Sequence, residues 1–357
     1  MYNFVNETLL LYSLNSAMNK PHQITIKDIA RTLGISASTV SRALKDHPDI
    51  SAETKQQVQQ LASQVNYRPN TLALGLRKQK TNTIGIIIPE IVHHFFSTVI
   101  SGIDDVAYSA GYNTMLCQTN ESIERERNSI QNMVDMRIDG FLVSVSKNTS
   151  DYSHFQRLAD DGIPIVFFDR VCPTMPSHRV VTDDFEGARI ATRHLIEQGC
   201  RHIAHLTSTT SLTISNQRKD GYLTALREAG LSVCPEYIIE ADSREAVMAQ
   251  SDKIITIAPD IDGLFAINDS TAIAAIQLLQ RNGYNIPHDI KVIGFGDGPL
   301  TEISSPTLST VEQKGYEMGA EAMRMLIRQM ESGIITTEYE TRIFTPILHP
   351  RESTKIR

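Results

Sequence analysis

The chain has only four cysteines, Cys117, Cys172, Cys200 and Cys234, and no two of them form a C-x-x-C pair. Neither a zinc site nor a disulfide framework is expected; buried free thiols are. Long apolar runs are missing as well. Stretches such as 84–89 are strand-length, against the roughly 20 residues that a membrane span needs. The apolar patch at 9–11 has no positively charged flank and no small-residue cleavage site, which makes it a poor signal peptide and implies a cytoplasmic protein that does not enter membranes. There is no G-x-S-x-G elbow and no recognisable nucleophile–base pair. His93-His94 and His202/His205 lack metal-ligand companions at useful spacing, so no metal and no cofactor is expected. Gly294-Phe295-Gly296-Asp297-Gly298 has the look of a nucleotide loop, but Pro299 stands where the third glycine belongs, and Ser-Ser-Pro follows in place of a long helix. These absences speak against an enzyme.

What is present suits a globular protein of two or three domains: 357 residues, 41% hydrophobic and 21% charged. The net charge of −7 is unevenly spread. Residues 21–80 hold nine lysines and arginines against four acids, a net +5, residues 1–20 balance, and residues 81–357 carry −12. A small basic module precedes a large acidic one, as in a chain that binds nucleic acid through one part only.

Residues 1–23 have no strong period, and Met18 opens a polar lead-in, Met-Asn-Lys-Pro-His. The first 17 residues are expected to be an upstream extension, with Met18 the translation start; a short accessory helix is the alternative. From 24 to 67 the apolar period is 3.6, in three pieces. The first has Thr25 as N-cap, Ile26, Ile29, Ala30 and Leu33 on one face, and Gly34 as its stop. The second runs from Ser36 to about Leu44. The third follows Pro48, with Ser51 as cap and Val58, Leu61, Ala62 and Val65 as its stripe.

The first two pieces have helix-turn-helix spacing. Ala30 is small enough for close helix approach, Gly34 sits at the turn, and Val40 anchors the second helix inward. Ala37, Ser38, Ser41 and Arg42 are left outside. A face of short side chains fits the roughly 12 Å major groove, with Arg42 placed to read a guanine edge; a solvated helical hairpin is the plainer reading of the same spacing.

After residue 82 the pattern alternates between β-branched runs and helical periods. Strands are expected at 84–88, 113–117, 140–145 and 163–168, with helices near 95–110, 121–136 and 152–160 between them. A second series has strands at 202–206, near 237, at 263–267 and at 291–295, with helices at 185–198, 216–229, 244–257 and 269–282. Such alternation implies parallel βαβ units, hence two doubly wound lobes with a ligand cleft at the carboxyl ends of their strands.

Residues 25–45 resemble the DNA-binding headpiece of the LacI/GalR family of bacterial transcription regulators. The likeness continues through Asn66-Tyr67-Arg68-Pro69-Asn70 into a two-lobed core, over about residues 24–350. It implies an α/β protein: a small all-α helix-turn-helix headpiece (24–69), a hinge helix or linker (70–81), and two doubly wound parallel-sheet lobes of the periplasmic-binding-protein type. The first lobe is expected at about 82–180 and 310–337, the second at about 181–309 and 338–350. DNA contacts are implied for Thr25, Ser36, Ala37, Ser38, Thr39, Arg42, Tyr67, Asn70 and Leu76, with Leu76 wedging into the minor groove at the operator centre. An eight-residue hinge containing Gly75 is too short for a stable isolated helix and orders only when two copies meet on DNA.

In the core the resemblance implies effector contacts from Phe95, Phe96, Asp169, Arg170, Arg218 and Asn268, with Phe265 nearby. Gly294-Phe295-Gly296-Asp297 departs from the family's Gly-Phe/Tyr-Asp pattern, so the acidic contact to sugar hydroxyls falls to Asp297 or is lost. The expected function is a transcription regulator, of repressor type, that binds a near-palindromic operator as a homodimer under the control of a small polar effector, a sugar or sugar derivative. A single headpiece buries too little surface for strong specific binding, and two-fold protein symmetry matches a palindrome. A sugar-binding protein without DNA function is the alternative.

Overall fold

The computed structural model describes residues 24–67, 80–208, 212–332 and 338–355, so residues 1–23 and most of the expected hinge, with Asn70 and Leu76, lie outside the described residues. The chain forms two compact units, 1–81 and 82–357.

The first unit is built from α1 (Ile26–Leu33), α2 (Ala37–Leu44) and α3 (Ala52–Gln64). Each start is set by a polar side chain. Thr25 donates its N–H and its hydroxyl to the Asp28 carboxylate at 2.9 and 2.6 Å. The Ser36 hydroxyl accepts the Thr39 N–H at 3.1 Å, and Ser51 does the same for Thr54 at 3.3 Å. Gly34 ends α1 at φ 64°, a left-handed conformation that suits a residue without Cβ. Ile29, Ala30, Val40, Ala43, Val58 and Ala62 bury one face from each helix against the others, each large side chain contributing about 1.5–3 kcal/mol.

The second unit holds the two lobes. The chain runs β1 (Thr83–Ile88), α4 (His94–Ser109), β2 (Asn113–Gln118), α5 (Ile123–Asp135), β3 (Gly140–Val143), α6 (Ser153–Asp160), β4 (Ile165–Phe168) and β5 (His178–Thr182). It crosses into the other lobe with α7 (Asp184–Glu197), β6 (Ile203–Thr207), α8 (Thr213–Glu228), β7 (Ile238–Glu240), α9 (Arg244–Ala249), α10 (Ser251–Ile257), β8 (Gly263–Ala266), α11 (Asp269–Arg281), β9 (Lys291–Ile293), α12 (Leu300–Ile303) and β10 (Thr310–Glu312). It returns with α13 (Gly315–Ser332) and β11 (Thr341–Phe344), then ends in the second lobe with β12 (Ile347–His349).

The first sheet is parallel, in the order β2-β1-β3-β4-β5-β11, and the second is parallel, in the order β7-β6-β8-β9. Both orders reverse beside their first strand, at β1/β3 and β6/β8, the switch points where open α/β sheets take ligands.

Two segments change sides relative to the expected lobe boundaries. Residues 341–344, assigned to the second lobe, pair with β5 in the first sheet. Residues 310–312, assigned to the first, pair antiparallel with β12, and Ser309 and Glu312 bridge to Ile293 and Gly296 of the second. Strands of three or four residues are too short to show a period, so only their partners decide which sheet they join. The strand at 178–182 carries no signal that the periodicity picks out, and the single helix expected at 244–257 is two, interrupted at Gln250.

The helix α13 packs on α4 at unusually short range. A Cβ on Gly102 would lie 2.0 Å from the Tyr316 carbonyl oxygen, and one on Gly319 would lie 2.0 Å from the Val99 carbonyl oxygen. This contact fastens the returning segment to the first lobe.

Candidate functional site

In the headpiece, α2 turns Val40 and Ala43 inward and leaves Ser38 and Arg42 exposed. Ala37, Thr39 and Ser41 are half-buried, and Ala37 packs against the headpiece core, so the free face is narrower than its spacing implied. Ser36, Ser38 and Thr39 bind one another: the Ser36 hydroxyl lies 2.7 Å from that of Ser38 and 2.8 Å from that of Thr39. Among the described residues no ion pair or side-chain hydrogen bond engages the Arg42 guanidinium. Its five donors are free in a fork that matches the O6 and N7 acceptors of guanine. Thr25 is exposed at the start of α1, and Tyr67 packs half-buried against the same core, its phenol pushed up by burial.

In the second unit a cleft of about 670 Å³ opens at the carboxyl ends of both sheets, within the range of ligand pockets. Residues just beyond β3, β4, β6, β7 and β8 line it: Lys147, Asp169 and Arg170, Ser208, Asp242, and Asn268. Phe95 and Phe96 join them from the first turn of α4, packed edge to face at 5.3 Å.

Arg218 is the most fixed group in the cleft. Its Nε and Nη2 both reach Asp184 Oδ1 at 2.7 Å, its Nη1 donates to the Ile267 carbonyl at 2.6 Å, and its guanidinium lies 3.8 Å from the centre of the Phe295 ring. Three of its five N–H groups are engaged among the described residues, and the other two have no partner there. Burial pushes the Asp184 carboxyl up, opposed by Arg218. On the facing wall Arg170 donates to Glu121 at 2.7 Å, and Glu121 also accepts the Lys147 N–H at 2.6 Å. Asp169, in a left-handed conformation at φ 58°, is buried, and burial raises its pKa to about 6 against the pull of Arg170.

Asn268 caps α11. Its Oδ1 accepts the Thr271 N–H at 2.9 Å and the Ser270 hydroxyl at 2.7 Å, and its Nδ2 donates to the Asp242 carbonyl at 2.8 Å. Its second amide hydrogen has no partner among the described residues.

Six of the eight expected effector residues, Phe95, Phe96, Asp169, Arg170, Arg218 and Asn268, come together on the cleft. Phe265 does not: it is fully buried, with its ring stacked on His205 at 4.7 Å and 8°. A residue inside a buried strand points to one sheet face or the other, and Phe265 faces the core. Asp297 is also off the cleft. Its carboxylate pairs with Arg351 at 2.8 Å and accepts the Thr301 hydroxyl at 3.3 Å.

Sequence reasoning missed Phe295, Glu121, Lys147, Asp242 and Asp184. Phe295 was legible within the glycine-rich stretch, which has a different task from binding nucleotide. Gly294 and Gly296 leave room for Asp269, whose carboxylate accepts from Thr310 at 2.5 Å and from the Gly298 N–H at 3.0 Å. Asp297, Glu312 and His349 also bring three donor atoms within 4.8 Å of one another. They stand far apart in sequence, and Arg351 already neutralises Asp297.

The headpiece residues 25–70 match the model of bacterial regulatory proteins, lacI family, and residues 192–354 match that of a periplasmic binding protein-like domain. The chain is 34% identical to the ribose operon repressor of Halalkalibacterium halodurans over 93% of its own length and 97% of that protein's. The chain belongs to the lacI family of bacterial regulatory proteins. It is 32% identical to the HTH-type transcriptional repressor PurR of Vibrio cholerae over 91% of this chain and 95% of the relative. Among solved structures, a transcriptional regulator CelR–cellobiose complex superposes with a TM-score of 0.71 at 25% identity, covering 92% of this chain and 99% of that one. The lac repressor dimer bound to operator and an anti-inducer shares the fold with a TM-score of 0.81 at 21% identity, over 93% and 99% of the two chains. As a lacI-family member the chain is a DNA-binding transcription regulator, and no helix among the described residues is long and apolar enough to cross a membrane.

Proposed function

We propose that this lacI-family regulator is a cytoplasmic repressor without catalytic activity, which binds a near-palindromic operator as a homodimer and responds to a small polar effector in the interlobe cleft. The observation that carries the reading is the guanidinium of Arg42, without a partner among the described residues, on the exposed face of α2 that has Val40 and Ala43 as its buried anchors. Ala37 and Ser38 make only small contacts, so Arg42 dominates base readout, while Thr25, Ser36, Thr39 and Tyr67 supply contacts that position the headpiece on the backbone. Asn70 and Leu76, outside the described residues, are assigned to the hinge and its minor-groove wedge on the resemblance.

The cleft supports the effector half of the reading. Directional donors on Arg170, Arg218 and Asn268, beside the aromatic faces of Phe95 and Phe96, suit the hydroxyls and apolar faces of a sugar or sugar derivative. The ribose operon repressor and the cellobiose-bound regulator among its relatives point the same way. An effector that changes the angle between the lobes would alter operator affinity by a coupling free energy of about 1–3 kcal/mol.

The test is selection of bound sequences from a random DNA pool with purified protein, repeated with candidate sugars. Enrichment of a palindrome that a sugar abolishes or strengthens is the expected result. An absence of enrichment under every condition would favour the other reading, a sugar-binding protein without DNA function.

A further inference from the structure

The permanent cations around the cleft are fewer than the acids, and each of them is already paired. Six acids line it, Glu90, Glu121, Asp169, Asp242, Glu245 and Asp269, against three permanent cations, Lys147, Arg170 and Arg218. Each cation is held by a carboxylate of the protein. Lys147 meets Asp242 at 3.2 Å, Arg170 meets Glu121 at 2.7 Å, and Arg218 meets Asp184 at 2.7 Å. Asp184 is itself buried beneath the cleft wall, so it adds a further acid to the local field.

An anionic ligand would enter a cleft whose acids outnumber its cations two to one, and every cation it approached would already be neutralised. The pairing is also structural. Glu121 uses its other oxygen to hold the Lys147 N–H, and Asp242 accepts the Ser208 hydroxyl at 2.6 Å while its carbonyl holds Asn268. Withdrawing either acid to admit a phosphate would break hydrogen bonds that shape the wall. A hydroxyl group meets no such conflict, because it donates to a carboxylate and accepts from the spare N–H groups of Arg218 and Asn268. Phosphate recognition by arginine forks needs the opposite arrangement, with guanidinium groups in excess over their own carboxylates.

We infer that this cleft excludes anions and that its effector is an uncharged polyol, not a phosphorylated or carboxylated derivative. The inference rests on the reading of the cleft as an effector site and narrows the ligand class within it. The Lys147–Asp242 pair joins the two lobes across the cleft.

The experiment uses the full-length chain at constant ionic strength. Binding of matched neutral and phosphorylated sugars, ribose with ribose 5-phosphate and glucose with glucose 6-phosphate among them, is measured by calorimetry. Inorganic phosphate is titrated separately by thermal shift against the natural protein, Glu121→Gln and Asp242→Asn. Phosphate should leave the melting temperature of the natural protein unchanged and should raise that of at least one variant, because Arg170 or Lys147 is released. Within any pair that binds, the phosphorylated member should be weaker by about tenfold or more. A cooperative thermal transition like that of the natural protein shows that each variant is folded.

A phosphorylated sugar that binds as well as its neutral partner would overturn the inference, as would phosphate binding to the natural protein that Arg170→Gln abolishes. Folded variants that gain no phosphate affinity would overturn it too. If no sugar binds while phosphate affinity appears only in the variants, the exclusion of anions stands and the polyol assignment fails.

Discussion

Arg218 lies 3.8 Å from the centre of the Phe295 ring while both its Nε and its Nη2 grip a single oxygen of Asp184 at 2.7 Å. The ring, the carboxylate and the Ile267 carbonyl together fix a buried guanidinium, with two N–H groups that have no partner among the described residues. Arg218→Met would strand Asp184 as a buried unpaired charge and should destabilise the protein by about 3–5 kcal/mol in chemical denaturation. Arg218→Lys keeps the charge but loses the fork and the guanidinium's contact with the Phe295 ring. It should weaken effector binding while leaving operator affinity without effector unchanged; equal effector affinity would remove Arg218 from the binding groups.

Arg42 is the exposed cation on α2 with no partner among the described residues. Arg42→Ala should cost about 1–3 kcal/mol at the operator and relax the base preference at one position in each half-site. A binding-site selection that returns the same consensus for the variant would assign the readout to other residues.

Gly319 meets the Val99 carbonyl where α13 crosses α4, and an added Cβ would fall 2.0 Å from that oxygen. Helix propensity alone favours alanine over glycine by about 1 kcal/mol. The close approach opposes this, so Gly319→Ala should instead destabilise by about 1–3 kcal/mol through forced separation of the two helices. Urea unfolding of the pair gives the sign directly, and a stabilised variant would contradict the helix contact.

Two buried groups set opposite pH slopes. His205 is fully buried, which lowers its pKa to about 4 even though Nδ1 lies 3.0 Å from the Phe265 carbonyl oxygen. Below pH 6.5 the unfolded chain takes up a proton that the folded chain refuses, so stability falls between pH 6.5 and about 4, by roughly 3 kcal/mol in all. Asp169 acts in the other direction. With its folded pKa raised to about 6, it contributes stability below its unfolded value of about 3.8 that is lost as pH rises to about 6. His205→Leu should flatten the acid limb of a stability–pH curve, and Asp169→Asn should raise stability near neutrality. A curve unchanged in both variants would mean that neither group is desolvated.

Much of the headpiece is legible in the amino-acid sequence. Thr25, Gly34, Ser36 and Ser51 act on groups within a few residues of themselves, and Val40 and Val58 fall on periods that one turn of chain discloses. The α/β class of the core follows in the same way from β-branched runs between helical periods, since each buried strand must be apolar on both faces. The cleft is half legible. Asp169, Arg170 and Asn268 stand at strand ends, and strand ends can be located by pattern.

What tertiary structure decided is which side chains meet across long separations. Phe265 and Phe295 are alike as letters and are buried in one core cluster, yet one stacks on His205 and the other lies against Arg218 at the cleft, because the elements packed around each ring decide what it meets. Asp297 is drawn to Arg351, and Arg170, Lys147 and Arg218 find Glu121, Asp242 and Asp184 at 49, 95 and 34 residues' distance. The edge strands 310–312 and 341–344 joined the lobes opposite to those expected because a three- or four-residue strand carries no period of its own. Local backbone chemistry is written in adjacent residues; charge pairing and strand partnership are settled only when distant segments compete for the same surface.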